Sequence, residues 1–196
     1  MESYFATVDQ EILLDILARK VKDRRLMDLV GLIVRNGGER GKGLPIGNLT
    51  SQFLANVYLD VLDHFVKEEL RVRCYIRYMD DIVVFGEDRS GLTVLRREIA
   101  GFLQERLALR LKESATFINQ RLNGLPFLGT RVFPGLVRIR RENRRRALRR
   151  LVLQSRRLER GLVAEERCLR CAASTLGYLR SFLPSGRTGI YQGKRS

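Results

Sequence analysis

Asp80 and Asp81 are adjacent carboxylates set between two β-rich runs, Tyr75–Tyr78 and Ile82–Phe85. This pattern predicts a tight hairpin with Met79-Asp80-Asp81 at its tip. Neighbouring acids repel, and a turn between apolar strands is a costly place for both charges. A divalent cation removes that cost, because hard oxygen ligands suit Mg²⁺ and substrate phosphates can complete its shell. The hairpin alone fits two readings equally: a metal-dependent phosphoryl-transfer site, or a solvated acidic turn.

The elements around it must position the tip. Upstream, Asn36–Gly43 carries four glycines in eight residues, which excludes a regular element. It lacks the Lys-Ser/Thr ending of a phosphate-binding loop. After Pro45 and Gly47, the run 51–70 has the apolar spacing of a long helix. Residues 3–9 read as a short strand leading to a helix capped near Asp9, followed by a second helix at about 23–35. Downstream, a helix is expected over about 90–108, with short extended pieces at 109–111 and 115–118. A hairpin over 126–139 turns at Pro134-Gly135, and helices at about 141–160 and 164–181 break at Gly161. Mixed strands and helices in this order make an α+β chain.

Composition narrows the class. The chain has 196 residues, 44% of them hydrophobic, and a net charge of +15. Residues 137–196 hold 17 Lys and Arg against 4 Asp and Glu, a net of +13, while residues 1–136 hold 20 against 18, a net of +2. A folded basic face in the C-terminal part implies a polyanionic partner. Arg141, Arg145 and Arg149 align at helical spacing, as do Arg146 and Arg150, so one helix face can follow a phosphate backbone. No apolar run reaches membrane-spanning length and Met1-Glu-Ser-Tyr lacks a basic leader, so neither a membrane partner nor a signal peptide is expected. Three cysteines without framework spacing fit a reducing cytoplasm. Cys168-Leu-Arg-Cys171 is a lone pair on a helix and a weak zinc signal. His64 reads as a partly exposed helix-end residue, Cys74 as a small core residue, and Lys112 as a solvated surface lysine.

Tyr78-Met79-Asp80-Asp81 in this setting resembles the catalytic motif of reverse transcriptases. Gly43-Leu-Pro-Ile-Gly-Asn-Leu-Thr-Ser-Gln-Phe-Leu-Ala-Asn-Val-Tyr-Leu59 resembles the nucleotide- and template-contacting motif of the bacterial members. The wording Ile46-Gly47 with Ser51-Gln52 is similar to diversity-generating retroelement enzymes and their group II intron-related kin. The resemblance implies a polymerase palm over 1–136, with a mixed sheet, packed helices and the catalytic hairpin, and a basic helical thumb over 137–196. It implies an RNA-directed DNA polymerase that joins nucleotides by a two-metal mechanism with Mg²⁺, or Mn²⁺ in its place. The metals fall to Asp80 and Asp81. Nucleotide and template contacts fall to Phe5, Ile46, Gly47, Ser51, Gln52, Tyr78 and Met79. The primer grip falls to Phe127, Leu128 and Gly129, and the nucleic-acid backbone to Arg141, Arg145, Arg146, Arg149 and Arg150. The partners implied are an RNA template, a DNA primer, their hybrid, dNTPs and an accessory retroelement protein.

The chain departs from the family in two respects. Met1-Glu-Ser-Tyr-Phe-Ala-Thr-Val-Asp-Gln matches the family's first motif from its second position, so the first catalytic Asp falls one residue ahead of Met1. Glu2 lies about 6–7 Å away along a strand, too far for direct replacement. The fingers segments are missing too, and the expectation is an N-terminally truncated enzyme, inactive alone. Ile46 replaces a common Gln, which implies looser base selection and error-prone synthesis. The competing expectations are a non-catalytic RNA- or hybrid-binding remnant and an intron-maturase-like protein.

Overall fold

Helix starts depend on side chains that accept from the first free N–H groups. Asp9 Oδ1 accepts from Glu11 N and Ile12 N at 3.1 and 3.2 Å, and Asp23 accepts from Leu26 N at 3.1 Å. Asn48 and Asp88 do the same for Thr50 N and Gly91 N, at 3.4 and 2.7 Å. These four caps open α2 (Gln10–Lys20), α3 (Arg24–Arg35), α4 (Leu49–His64) and α5 (Arg89–Leu107). The computed structural model describes residues 1, 3–45 and 47–182. Glu2, Ile46 and Pro184 lie outside the described residues.

The chain is α+β and divides into two units, Met1–Ile118 and a second from Asn119 onward. The first holds α1 (Tyr4–Thr7), α2, α3, α4, the hairpin β1 (Tyr75–Tyr78) and β2 (Asp81–Val84), and α5. The second holds the antiparallel sheet β3 (Leu125–Phe127), β4 (Thr130–Phe133), β5 (Leu136–Ile139), then α6 (Arg141–Glu159) and α7 (Glu165–Arg180). This sheet therefore groups with the basic helices, whereas charge alone divided the chain at 136/137. No helix among the described residues is long and apolar enough to cross a membrane.

In the first unit α4 is the axis of the core. Leu54, Ala55, Tyr58, Leu59 and Leu62 recur at one- and four-residue steps and are all buried. They meet Leu13, Ile16 and Leu17 of α2 and Ile99, Leu103 and Leu107 of α5 in one cluster. The Tyr58 hydroxyl donates to Leu107 O at 2.7 Å and accepts from Asp9 N at 3.4 Å. One buried polar atom thus joins the start of α2, the middle of α4 and the end of α5. Burial pushes the Tyr58 hydroxyl well above the ordinary tyrosine range.

Several local expectations fail. Within residues 3–9, Tyr4–Thr7 form the helical turn α1 instead of a strand, and only Asp9 makes an isolated β-bridge, to Lys42. Tyr4 and Val8, four apart, are both buried, and Val8 N donates to Tyr4 O at 3.2 Å. A strand would also have needed a partner, and both sheets among the described residues are small and antiparallel, so the expected mixed sheet is not found. Residues 109–111 and 115–118 are irregular apart from the 3₁₀ turn Glu113–Ala115. A second turn, at Leu128-Gly129, splits the 126–133 run into two strands, because both residues have positive φ (47° and 76°). Cys74 is exposed, not buried in the core. Helix α3 packs through Met27, Val30 and Val34, leaving Leu26 and Leu29 outward.

Helix α4 continues into one π-helical turn, Phe65–Glu69, where Leu70 N reaches Phe65 O at 3.0 Å. His64 stands exposed at that join, as the sequence suggests. Its Nδ1 lies 2.7 Å from Glu68 Oε1 and its Nε2 3.7 Å from Asp60 Oδ2, which also takes Lys20 Nζ at 2.6 Å. The hydrogen bond to Glu68, then the charges of Glu68 and Asp60, raise the imidazole pKa above 6.5. A raised folded-state pKa stabilises the fold fully below the unfolded value, and that contribution is lost as pH rises through the raised value. Proton NMR titration should place His64 above 6.5, and Glu68→Gln should bring it back. Melting temperature should fall with rising pH over the same interval in the parent and less in the variant.

Candidate metal and nucleotide site

The hairpin tip is a two-residue loop, Met79-Asp80, between paired Tyr78 and Asp81. Met79 has φ 53°. The first loop position with positive φ is normally given to glycine in such turns, and an L side chain there costs about 1–2 kcal/mol. Contacts below the tip offset that cost. Alternation along β1 turns Tyr75 and Arg77 toward α4 and leaves Ile76 and Tyr78 exposed.

Arg77 Nε donates to Asp63 Oδ1 at 2.8 Å and Nη2 to Asp63 Oδ2 at 2.5 Å, a two-pronged fork. The Tyr75 hydroxyl adds a bond to Asp63 Oδ1 at 2.7 Å. Nη1 of Arg77 donates to Asn56 Oδ1 at 3.0 Å and to the Met79 carbonyl at 3.1 Å. Asn56 Nδ2 in turn faces Met79 Sδ at 3.4 Å. Burial alone would lower the pKa of Arg77, but the hydrogen bonds and charge of Asp63 outweigh it and hold the guanidinium charged. Burial, with Asp63 as acceptor, pushes the Tyr75 hydroxyl well above its ordinary range.

Among the described residues neither carboxylate above this base is engaged in a hydrogen bond; Asp81 is exposed and the Asp80 side chain is 38% exposed. The Met1 amino nitrogen lies 3.8 Å from Asp80 Oδ2. A cation therefore already stands beside this carboxylate. Carboxylate oxygens are hard ligands of the kind Mg²⁺ takes, and at Asp80 a cation would have to compete with the Met1 ammonium. Among the described residues no three His, Cys, Asp or Glu side chains gather as a metal-binding group.

The other residues assigned from the sequence fall into two groups. In the first unit, Phe5 is half-buried, 5.6 Å ring-to-ring from Tyr4, and its carbonyl accepts from Leu44 N at 2.9 Å. Gly43 N donates to Val8 O at 2.8 Å, so Gly43 and Leu44 are docked on the chain's first turn. Gly47 has φ 87° with open space where a side chain would stand; its need for glycine is conformational. Gln52 and Tyr78 are exposed. Ser51 is not open to a ligand, since it is buried with its hydroxyl donating to Pro45 O at 2.6 Å. It ties the loop to the start of α4.

The second group belongs to the second unit. Leu128 is half-exposed at the tip of its turn and Phe127 half-buried. Gly129 O accepts from Asn143 Nδ2 at 2.8 Å, and a Cβ on Gly129 would meet that nitrogen at 2.6 Å. The close approach that requires glycine here is therefore made by α6 of the same unit. Along α6, Asn143, Ala147, Leu151, Gln154 and Leu158 turn inward, while Arg141, Arg145, Arg146, Arg149 and Arg150 are all exposed. Lys112 is exposed, in line with its assignment as a surface residue.

Sequence reasoning missed Asn56, Asp63 and Arg77. A signal was present: Asn56 and Asp63 are seven apart in a helix, hence on one stripe, and Arg77 alternates with Tyr75 on the inward face of β1.

No protein-family model matches the chain. It is similar to Protein YkfC of Escherichia coli (strain K12), at 26% identity over an alignment covering 67% of this chain and 45% of that protein. The chain thus spans under half the length of the curated relative it matches.

Proposed function

We propose that this chain is the palm and thumb portion of a reverse transcriptase of bacterial retroelement type, in which Asp80 and Asp81 hold catalytic Mg²⁺ or Mn²⁺. The observation that carries the reading is the state of the two acids: adjacent, without a hydrogen bond among the described residues, and held at a strained hairpin turn braced from below by α4. The reaction would be in-line attack of a primer 3′-oxygen on the α-phosphorus of a dNTP. The new P–O bond forms as the α–β bond breaks, pyrophosphate leaves and the hydroxyl proton is lost. A divalent cation bound at Asp80 and Asp81 supplies charge stabilisation for the attacking and leaving oxygens. Tyr78, exposed beside Asp81, offers a ring face to a base, and Phe5 a wall near the Gly43–Gly47 loop. The exposed arginines of α6 offer a sequence-independent grip on an RNA template paired to its DNA primer.

A second reading has its own support. With two acids but no third ligand among the described residues, the chain serves as an RNA- or hybrid-binding protein without catalysis. The two readings part in a primer-extension assay on an RNA template. The chain as it stands should extend a primer no better than background. Adding one Asp ahead of Met1, whose nitrogen lies beside Asp80, should raise incorporation about tenfold or more, and Asp80→Ala should abolish the gain. No gain would favour the binding-only reading. Strong Asp80-dependent extension by the unextended chain would show that two acids suffice.

Nucleic-acid binding is tested apart from chemistry. Replacing Arg141, Arg145 and Arg149 together with Gln should weaken binding to an RNA–DNA hybrid of any sequence. The slope of log affinity against log salt should fall by about one per arginine. An unchanged slope would remove α6 from the interface.

A further inference from the structure

We propose that Arg77 is a positioning residue for Asp80 and Asp81, acting through the Met79 carbonyl, with Asp63 and Asn56 as its anchors on α4. The consequence for nucleotidyl transfer rests on the reading above, whereas the mechanical claim does not. A structural ion pair between β1 and α4 needs only the fork from Nε and Nη2 to Asp63. Nη1 makes a different pair of contacts, one to Asn56 on the helix and one to Met79 in the loop. Met79 is thus gripped at both ends, its carbonyl by Arg77 and its sulfur by Asn56. It is the residue with the unfavourable φ, and the one that immediately precedes Asp80.

The geometry explains why arginine is needed. The guanidinium satisfies an acid, an amide oxygen and a backbone carbonyl at once; the Arg77 side chain is only 10% exposed while doing so. A lysine ammonium offers a point charge that can hold Asp63 but cannot also reach both Nη1 partners in that arrangement. Arg77→Lys should therefore keep the hairpin paired to α4 and release its tip. Asn56 and Asp63 lie on one stripe of α4, seven residues apart, so both anchors belong to one rigid element. The tip's position is in this way referred to the core helix rather than to the two four-residue strands alone.

Amide hydrogen exchange tests this without reference to activity. In Arg77→Lys, exchange at Tyr78 to Ile82 should rise about ten- to a hundredfold, as expected for losing a charged hydrogen bond. Exchange at Leu59 and Leu62 in α4 should stay as in the parent. Asn56→Leu, which removes only the helix-side partner of Nη1 and of the Met79 sulfur, should give a smaller rise confined to the same residues. This second variant decides the matter if Arg77→Lys does not fold. Unchanged exchange at the tip, or an equal rise throughout α4, would overturn the proposal. Mn²⁺-induced broadening of Asp80 and Asp81 resonances, recorded on the same samples, reads the metal assignment separately. Its absence in the parent would remove the metal reading alone, and the exchange result stands for or against the clamp in either case.

Discussion

The ion pair between Arg77 and Asp63 is the constraint on which the hairpin depends. Two antiparallel strands of four residues are at best marginal alone. This pair lies under a half-covered surface, with the Asp63 side chain 30% exposed, where attraction is less screened than at a free surface. Desolvation opposes such a pair, and good geometry with further hydrogen bonds is needed to offset it. The fork, the Tyr75 hydroxyl, Asn56 and the Met79 carbonyl supply them. Loss of Asp63 would leave the largely covered guanidinium with only the neutral acceptors Asn56 and the Met79 carbonyl, and loss of Arg77 would leave Asp63 with the Tyr75 hydroxyl and solvent.

The pair works because its helix-side half is fixed. The inward face of α4 is buried against α2 and α5 in one apolar cluster. The Tyr58 hydroxyl spans all three helices, and Ser51 anchors the glycine loop at the other end of the same helix. The loop, the first turn with Phe5, and the acidic tip are therefore all referred to one element. Such an arrangement holds side chains on rigid supports while their reactive ends remain open.

The larger elements were legible in the sequence because they carry strong local signals. Apolar spacing, with a cap at Asp9, marks helices close to where they are found, and the structure adds Asp23, Asn48 and Asp88 as the caps of the next three. The acidic hairpin was legible for the same reason: aromatic and β-branched runs flank a short polar tip. What escaped depends on partners remote in sequence. Residues 3–9 carry residues suited to a strand, but burial of both Tyr4 and Val8 decides for a helical turn. Gly129 could be marked as a place of close approach, yet only the fold shows that Asn143 makes it. Ser51 sits in a motif with polar character, and its buried hydroxyl turns out to be spent on Pro45. The Arg77 clamp needs α4 and β1 placed together before its members can be connected.

In the proposed function Asp80 and Asp81 together hold a divalent cation at the end of the hairpin. Crystals of the protein grown with Mn²⁺, an RNA–DNA hybrid and a dNTP, with data collected at the manganese edge, test it most directly. The account predicts an anomalous difference peak within ligand distance, about 2 Å, of a carboxylate oxygen of Asp80, and no such peak in Asp80→Ala. Manganese bound elsewhere in the parent, with the Asp80 and Asp81 carboxylates facing solvent alone, would contradict it.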